Sequence, residues 1–353
     1  MNQNNFDEKH ERKIEAKRSI ISISIQTILV TINITIILAL IVWSSNTFRT
    51  SDSIPTINPI TPAKVAQFGG FSGIVNVGLY IEEFQQFSIE ENAFTFDAMV
   101  WFRFEPDVIS LETLEKFTFE NGTILQRSQP DTQIIDGQLN VRYTVRVQCT
   151  SNLEYKTFPL DDHRIYIMLA NRFIEPSEVI FESSRREFNI EQDMSFRGWI
   201  KVDKNVETGY IDSQLDSFDP TKEIIYPAVL FSIDYARSSV RYVFSILLPL
   251  AIMFYVSLFT LSLSLRDSLP ITAGIVTAIL AYRFIIEYLS PRVGYFMGSD
   301  LIFFLFLGAS VGVFILNVAE FIGKVHLSKK VKTFILILFH LIVIGGMLFL
   351  VLW

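Results

Sequence analysis

The sequence predicts an extracytoplasmic antiparallel β-sandwich joined to a bundle of four membrane helices, with one further N-terminal helix anchoring the chain in the membrane. Three observations lead there. Mean hydropathy is +0.36 and 19% of the 353 residues are charged, below the roughly 25% usual for soluble domains. The hydrophobic excess sits in five long blocks. The long stretch between the first and second block alternates apolar and polar residues instead, and carries hairpin turn signals. The same composition excludes an ordinary cytosolic enzyme and a disordered chain, which needs low hydrophobicity and high charge. One cysteine, Cys149, leaves no intrachain disulfide framework and no cysteine-based metal site. The net charge of −7 offers no basic face for nucleic acid.

The N-terminal segment, residues 1–19, is a basic tail carrying Lys9, Arg12, Lys13, Lys17 and Arg18. The first apolar block, residues 20–43, is long enough to cross a hydrocarbon core of about 30 Å. It is too long for a signal-peptide core, and bulky Trp43 closes it where a small-residue cleavage site belongs. It therefore reads as an uncleaved anchor, diluted by Gln26, Thr27, Thr31, Asn33 and Thr35. The other blocks are Tyr242–Leu265, Leu269–Leu289, Leu301–Ile322 and Thr333–Trp353. Lysines 324, 329, 330 and 332 cluster before the last block, whereas the loop near Pro291 carries only Arg292. The positive-inside rule then puts the N-terminus in the cytoplasm, the C-terminus outside, and residues 44–236 on the extracytoplasmic side of the plasma (inner) membrane.

Residues 44–236 read as β-structure. Asn121-Gly122 and Asp136-Gly137 are both hairpin signals, and alternation runs through Ile74–Ile81, Phe94–Phe104, Leu139–Val147, Ile165–Leu169 and Ile224–Ile233. No helix of three turns is apparent. Residues 45–236 hold 29 acidic and 16 basic side chains. That skew fits a solvated surface, and equally an acidic vestibule that concentrates cations.

Three motifs then follow in order. The turn Phe158-Pro159-Leu160-Asp161 precedes the strand Arg164–Leu169; proline fixes φ at the bend and the aspartate can cap the turn or meet a cation. Alone, an ordinary loop accounts for it. Arg237 stands twelve residues before Pro249, and Phe284 stands seven before Pro291. Together these resemble the pentameric ligand-gated ion channels, the Cys-loop receptor superfamily, and especially its bacterial members. The resemblance covers about residues 68–353. The loop-closing cysteines are absent and the loop before the last block is short, as in bacterial members; the N-terminal span has no counterpart in the usual four-helix plan.

The resemblance implies residues 237–353 as a four-helix channel domain whose second helix lines a pore. Counting back from Pro291, the lumen face holds Tyr288, Phe284, Ala281, Thr277, Gly274 and Pro270, one helical stripe in steps of three and four. A stripe of packed core has the same spacing. Phe284 is the candidate gate, since apolar rings close pores by dewetting. Asp267 sits where cation-selective relatives carry an acidic ring, although Asp also favours a helix start, Pro270 suits a first turn, and Arg266 weakens the field. Arg283 and Glu287 form an i, i+4 pair, because an unpaired charge at mid-bilayer costs at least about 2.5–3.5 kcal/mol. Asn317, Glu320 and His340 read as interfacial or interhelical polar groups.

The resemblance further implies that Phe158, Pro159 and Asp161 couple the outer domain to the membrane through Arg237, Pro291 and Tyr295. An unidentified small-molecule agonist would bind between neighbouring outer domains, framed by Trp101, Tyr210, Phe218 and Tyr226. The expected partners are other copies of the chain in a pentamer, the lipid bilayer and inorganic cations. No cofactor, metal site or catalytic group is read: the four histidines lie far apart, no HExxH motif or Gly-rich phosphate loop occurs, and Gly70-Phe71-Ser72-Gly73 is not a nucleophile elbow. A non-conducting membrane sensor or adhesion receptor built on the same sandwich is the alternative.

Overall fold

Each apolar block forms the greater part of one helix. The computed structural model describes residues 3–70, 73–88, 92–191, 199–214, 223–237, 241–323 and 328–352. Helix α1 runs Gln3–Ser45, with an apolar span over Ser24–Ser45. Among the later elements, α4 is Arg241–Phe259, α5 Leu265–Leu289, α6 Gly298–Phe321 and α7 Lys329–Leu352. All five are long and apolar enough to cross a membrane. Their ends have local causes. A 3-10 turn, Thr260–Ser262, follows α4 before Leu263 turns extended. Pro291 forces Ser290 out of the helical region, with ψ at 146°, and so stops α5. Asp300 accepts from the Met297 N–H at 2.8 Å and caps the start of α6. Because α5 begins at Leu265, Pro270 lies beyond its first turn, where a first-turn proline was expected.

The polar residues that dilute the first span divide into two groups. Thr31 and Thr35 bond back to the carbonyls of Thr27 and Thr31, at 2.9 and 2.8 Å, and so need no outside partner. Gln26 and Asn33 are buried on one stripe with Ile37 and Ile41. Asn33 donates from Nδ2 to His340 Nδ1 at 3.1 Å and to the His340 carbonyl at 3.1 Å, and accepts from the Tyr255 hydroxyl at 2.7 Å. Ser262 donates to Gln26 at 2.9 Å. Helix α1 is thus seated against α4 and α7 by buried polar bonds, which is more than the tether that an anchor requires.

The segment between α1 and α4 forms two sheets. One has strand order β4-β6-β2-β1-β8, with β5 on β6 and β9 on β1; the other is β10-β11-β7-β3. Their ranges are β1 Gly73–Ser88, β2 Ala93–Phe104, β3 Thr118–Phe119, β4 Gly122–Arg127, β5 Asp131–Ile135, β6 Gln138–Thr150, β7 His163–Ala170, β8 Val179–Glu182, β9 Phe188–Ile190, β10 Trp199–Gln214 and β11 Glu223–Arg237. Helices α2, Pro62–Gln67, and α3, Leu111–Leu114, are single turns or little more. Alternation buries Phe94, Phe96, Val100, Phe102 and Phe104 along β2, and Val141, Tyr143, Val145 and Val147 along β6. Rings from the two sheets meet: Phe188 lies 5.0 Å from Phe231, and Phe96 6.2 Å from Phe119.

Two expectations change. The pairing is not wholly antiparallel, since β8 and β9 both run parallel to β1. Asp136-Gly137 does make the β5–β6 hairpin, with φ of 53° and 80° as a type I′ turn needs. Asn121-Gly122 does not make one. It connects β3 in one sheet to β4 in the other, with neither residue at positive φ. Asn121 instead spends its side chain on the chain around it, donating to the Thr150 and Tyr166 carbonyls and accepting from the Met168 N–H at 3.0, 2.8 and 3.2 Å.

The chain divides into two compact units. The sheet unit is Arg49–Glu154 with Asp162–Ser238; the helical unit is Met1–Phe48, Tyr155–Asp161 and Ser239–Trp353. The loop Tyr155–Asp161, which lies between two stretches of the sheet unit in the chain, groups with the helices.

Candidate functional site

On α5 the expected lumen stripe is uncovered from end to end. Asp267, Pro270, Gly274, Thr277, Ala281, Phe284 and Tyr288 are all exposed, with Phe284 at 74% and Tyr288 at 88%. The buried residues of α5, namely Ser268, Thr272, Ile279 and Ile286, lie on another face. So the stripe is not packed core within one chain. At the helix start Asp267 accepts from Ser264 Oγ at 2.6 Å, which fits a helix-start role while leaving the carboxylate in solvent.

Arg283 and Glu287 form the expected pair, Nε to Oε1 at 3.0 Å. Sequence spacing did not reveal the second partner: Arg283 also donates to Asp300 of α6, and its guanidinium lies 5.4 Å from the Phe303 ring centre. Arg283, Glu287 and Asp300 border a cavity of about 670 Å³ that also touches Tyr288, Pro291 and Tyr295. Near the other end, Asn317 donates to Thr260 Oγ1 at 3.1 Å and Lys332 meets Glu320 at 2.8 Å. Together with the Asn33–His340 bond, these are the interhelical roles expected of Asn317, Glu320 and His340.

The loop Tyr155–Asp161 is built into the start of α6. The first N–H groups of any helix lack intrahelical acceptors. Here the Gly298 N–H donates to the Lys156 carbonyl at 2.7 Å and the Ser299 N–H to the Phe158 carbonyl at 2.8 Å. A Cβ at position 298 would stand 2.9 Å from the Phe158 oxygen, so glycine is needed for that approach. The Tyr155 N–H donates to the Tyr295 hydroxyl at 2.8 Å, and buried Phe158 packs on Tyr242 with ring centres 6.3 Å apart. The Phe158–Pro159 bond is cis and Asp161 is fully buried. Tyr295 thus meets the loop at Tyr155, and Phe158 meets α4 and α6; Gly298 and Ser299 were not singled out by sequence. Arg237 lies in the sheet unit, its guanidinium 4.4 Å over the Trp199 ring.

The expected ligand residues separate. Trp101 is on the outward face of β2, and its Nε1 donates to Glu187 at 3.2 Å. Tyr210 and Tyr226 are neighbours on β10 and β11, in the other sheet. Phe218 lies outside the described residues. A pocket of about 390 Å³ opens in the sheet unit, lined by Phe68, Arg172, Phe173, Glu175, Ile224 and Ile225 among others. Phe68 meets the Tyr210 ring edge-on at 5.8 Å, and Lys64 lies 5.6 Å from the same ring. Arg172 sits 5.7 Å over Tyr226 and binds Glu120 through two bonds of 2.9 and 2.5 Å; that contact holds the guanidinium firmly charged. Burial pushes the Tyr226 hydroxyl upward.

Phe68 reaches the pocket because the segment after α1 packs along this sheet. Ile57 is buried against Met168, Tyr226 and Leu230, and Asn58 exchanges two backbone bonds of 3.0 Å with Tyr210. Gly209 leaves room for it, since a Cβ there would meet the Asn58 oxygen at 2.1 Å. The Thr61-Pro62 pair, an N-cap followed by a first-turn proline, is the sequence signal that would have found α2 and with it Lys64 and Phe68.

No protein-family model and no curated protein matches this chain.

Proposed function

We propose that copies of this chain assemble, as a pentamer, into a ligand-gated channel of the plasma membrane that conducts inorganic cations. The two sheets are taken as the layers of an extracytoplasmic sandwich, with the lysine-rich ends of the helices in the cytoplasm. The observation that carries the proposal is the uncovered α5 stripe. It joins a carboxylate at one end, small and hydroxylic residues in the middle, and two aromatic rings at the other. Five such stripes around an axis make a pore with an acidic mouth at Asp267 and an apolar constriction at Phe284.

Two further features support the reading. The loop Tyr155–Asp161 accepts, through its carbonyls, the first N–H groups of α6 directly after the α5–α6 turn, which suits a link between ligand site and pore. Tyr210 and Tyr226 stand beside an open pocket, while Trp101 faces outward on the other sheet. In a ring, the tyrosines of one copy and the tryptophan of the next would frame one interfacial ligand site.

Purified full-length protein in planar bilayers should carry single-channel current whose reversal potential follows the cation gradient. Assembled protein without current in any salt or voltage would refute the channel and leave a non-conducting sensor; a reversal potential that follows anions would refute the acidic mouth.

A further inference from the structure

The chain passes between the helical and the sheet unit four times, at Phe48/Arg49, Glu154/Tyr155, Asp161/Asp162 and Ser238/Ser239. Within the sheet unit, the residues beside all four crossings converge on two carboxylates. Asp52 accepts from the Glu154 N–H at 2.6 Å through Oδ1, and from the Arg164 N–H at 2.8 Å through Oδ2. The same Oδ2 lies 3.0 Å from His163 Nδ1, with both side chains almost fully buried. Asp162 accepts from the Arg49 N–H at 2.8 Å and from the Arg237 N–H at 3.2 Å, one bond to each oxygen. Trp199 completes the circuit: its ring lies 5.0 Å from the His163 ring and 4.4 Å from the Arg237 guanidinium.

We infer that Asp52 and Asp162 are positioning residues that tie the sheet-side ends of all four crossings into one knot. The segment leaving α1, both ends of the loop Tyr155–Asp161 and the strand that leads to α4 then shift together. Carboxylate acceptors suit this, because a charge-assisted bond is about twice as strong as a neutral one and each carboxylate serves two chain segments distant in sequence. A consequence follows for the N-terminal helix. Through Arg49 and Asp52, a displacement of α1 reaches the loop and the α4 entry without passing through the rest of the sheet unit. The inference stands apart from the channel reading, since it concerns bonds inside the sheet unit and needs no current.

Amide hydrogen exchange on the full-length protein in lipid nanodiscs tests it. In Asp162→Asn the amide offers one acceptor oxygen where the carboxylate offers two, so one of the two bonds must be lost. Exchange should quicken roughly ten- to hundredfold at Arg49 and Arg237. It should also quicken at Glu154 and Arg164, whose N–H groups donate to Asp52, while the core amides of β6 keep their wild-type rates. Asp52→Asn should produce the converse spread. Acceleration confined to the amides bonded by the replaced carboxylate, or no acceleration, would overturn the knot and leave two local caps. If the deeply buried Asp52 position does not tolerate asparagine, the pattern in Asp162→Asn decides alone, since Asp162 is partly exposed. Should the wild type carry no current, the exchange result still decides.

Discussion

Replacing Asn33 with leucine should detach α1 energetically without opening a cavity, because leucine keeps the same branched skeleton and is the larger side chain. The structure sets the scale. Asn33 is 1% exposed and makes three bonds, to His340 Nδ1, the His340 carbonyl and the Tyr255 hydroxyl. The carbonyl lies inside α7, where the helix ladder already uses it. Leucine therefore orphans two buried groups, the Tyr255 hydroxyl and His340 Nδ1. Buried groups left unpaired cost about 1–3 kcal/mol each, whereas interhelical bonds in a bilayer average about 0.6 kcal/mol because a detached helix finds other partners. The two limits bracket a loss of about 2 kcal/mol, or about thirtyfold in the unfolding equilibrium. Steric trapping in bicelles would measure it on the full chain. Tyr255→Phe removes the hydroxyl alone, and the double variant should be less destabilised than the sum by about 1 kcal/mol. A neutral Asn33→Leu, or strict additivity, would refute the polar seat and return α1 to a plain anchor.

Four other outcomes are expected. Asp267→Lys should reverse or abolish cation selectivity, read as a moved reversal potential in a salt gradient, because a like-charged ring repels the permeant ion. Phe284→Ala should raise open probability and leave the reversal potential in place. Arg283→Gln removes the guanidinium from Asp300, a side chain 5% exposed; breaking a buried pair costs about 3–5 kcal/mol, and less here because Arg283 is 27% exposed. Adding Asp300→Asn should restore part of that loss in a thermal-unfolding assay. In the sheet unit, the Arg146 hydrogen bonds hold the Asp97 carboxyl below the usual carboxylate range. Its contribution to stability is present above the unfolded value of about 3.9 and fades as pH falls through the depressed folded value, so Arg146→Gln should flatten the acid limb of a stability–pH curve.

Much of this was legible because periodicity is a local property. The five apolar blocks and the strands β1, β2, β6, β7 and β11 are each coded by their own spacing, and Asp136-Gly137 fixes its hairpin through two positive-φ residues. Asn121-Gly122 carries the same dipeptide signal yet connects two sheets, because Asn121 finds three partners from strands distant in sequence, and no local window contains them. The α5 stripe was readable from steps of three and four, whereas its exposure was not, since spacing is identical for a packed face and an open one. The missed groups share that character. Asp300 as a partner of Arg283, Gly298 at the loop carbonyl, and Asp52 on Glu154 and Arg164 are all pairings between segments that only the fold brings together. Trp101 lies on the other sheet from Tyr210 and Tyr226, beside Glu187, a placement that no local window contains either.

What α5 leaves uncovered differs in kind from what α7 leaves uncovered, and the difference bears on what each helix faces. Beyond the exposed Lys330, Val331 and Thr333 near its start, the exposed described residues of α7 are Phe334, Ile337, Leu338, Leu341, Ile342, Gly345, Leu348 and Phe349, with no hydroxyl or charge among them. That face gains by meeting hydrocarbon. The exposed face of α5 holds Arg266, Asp267, Gly274, Thr277 and Glu287 between its apolar residues. In lipid, each charge near the helix centre costs about 2.5–3.5 kcal/mol, less toward the ends where these lie. Thr277 reduces its own cost by bonding the Ala273 carbonyl at 3.0 Å, but Asp267 and Glu287 still place carboxylates at the two ends of the span. Water or another copy of the chain removes that penalty, and lipid does not. Helix α5 is therefore the helix with reason to turn inward in an assembly, and α7 the one with reason to stay outside. If cysteines placed along both helices and probed with a water-soluble thiol reagent in intact membranes reacted alike at positions 277 and 341, this assignment of the two faces would fail.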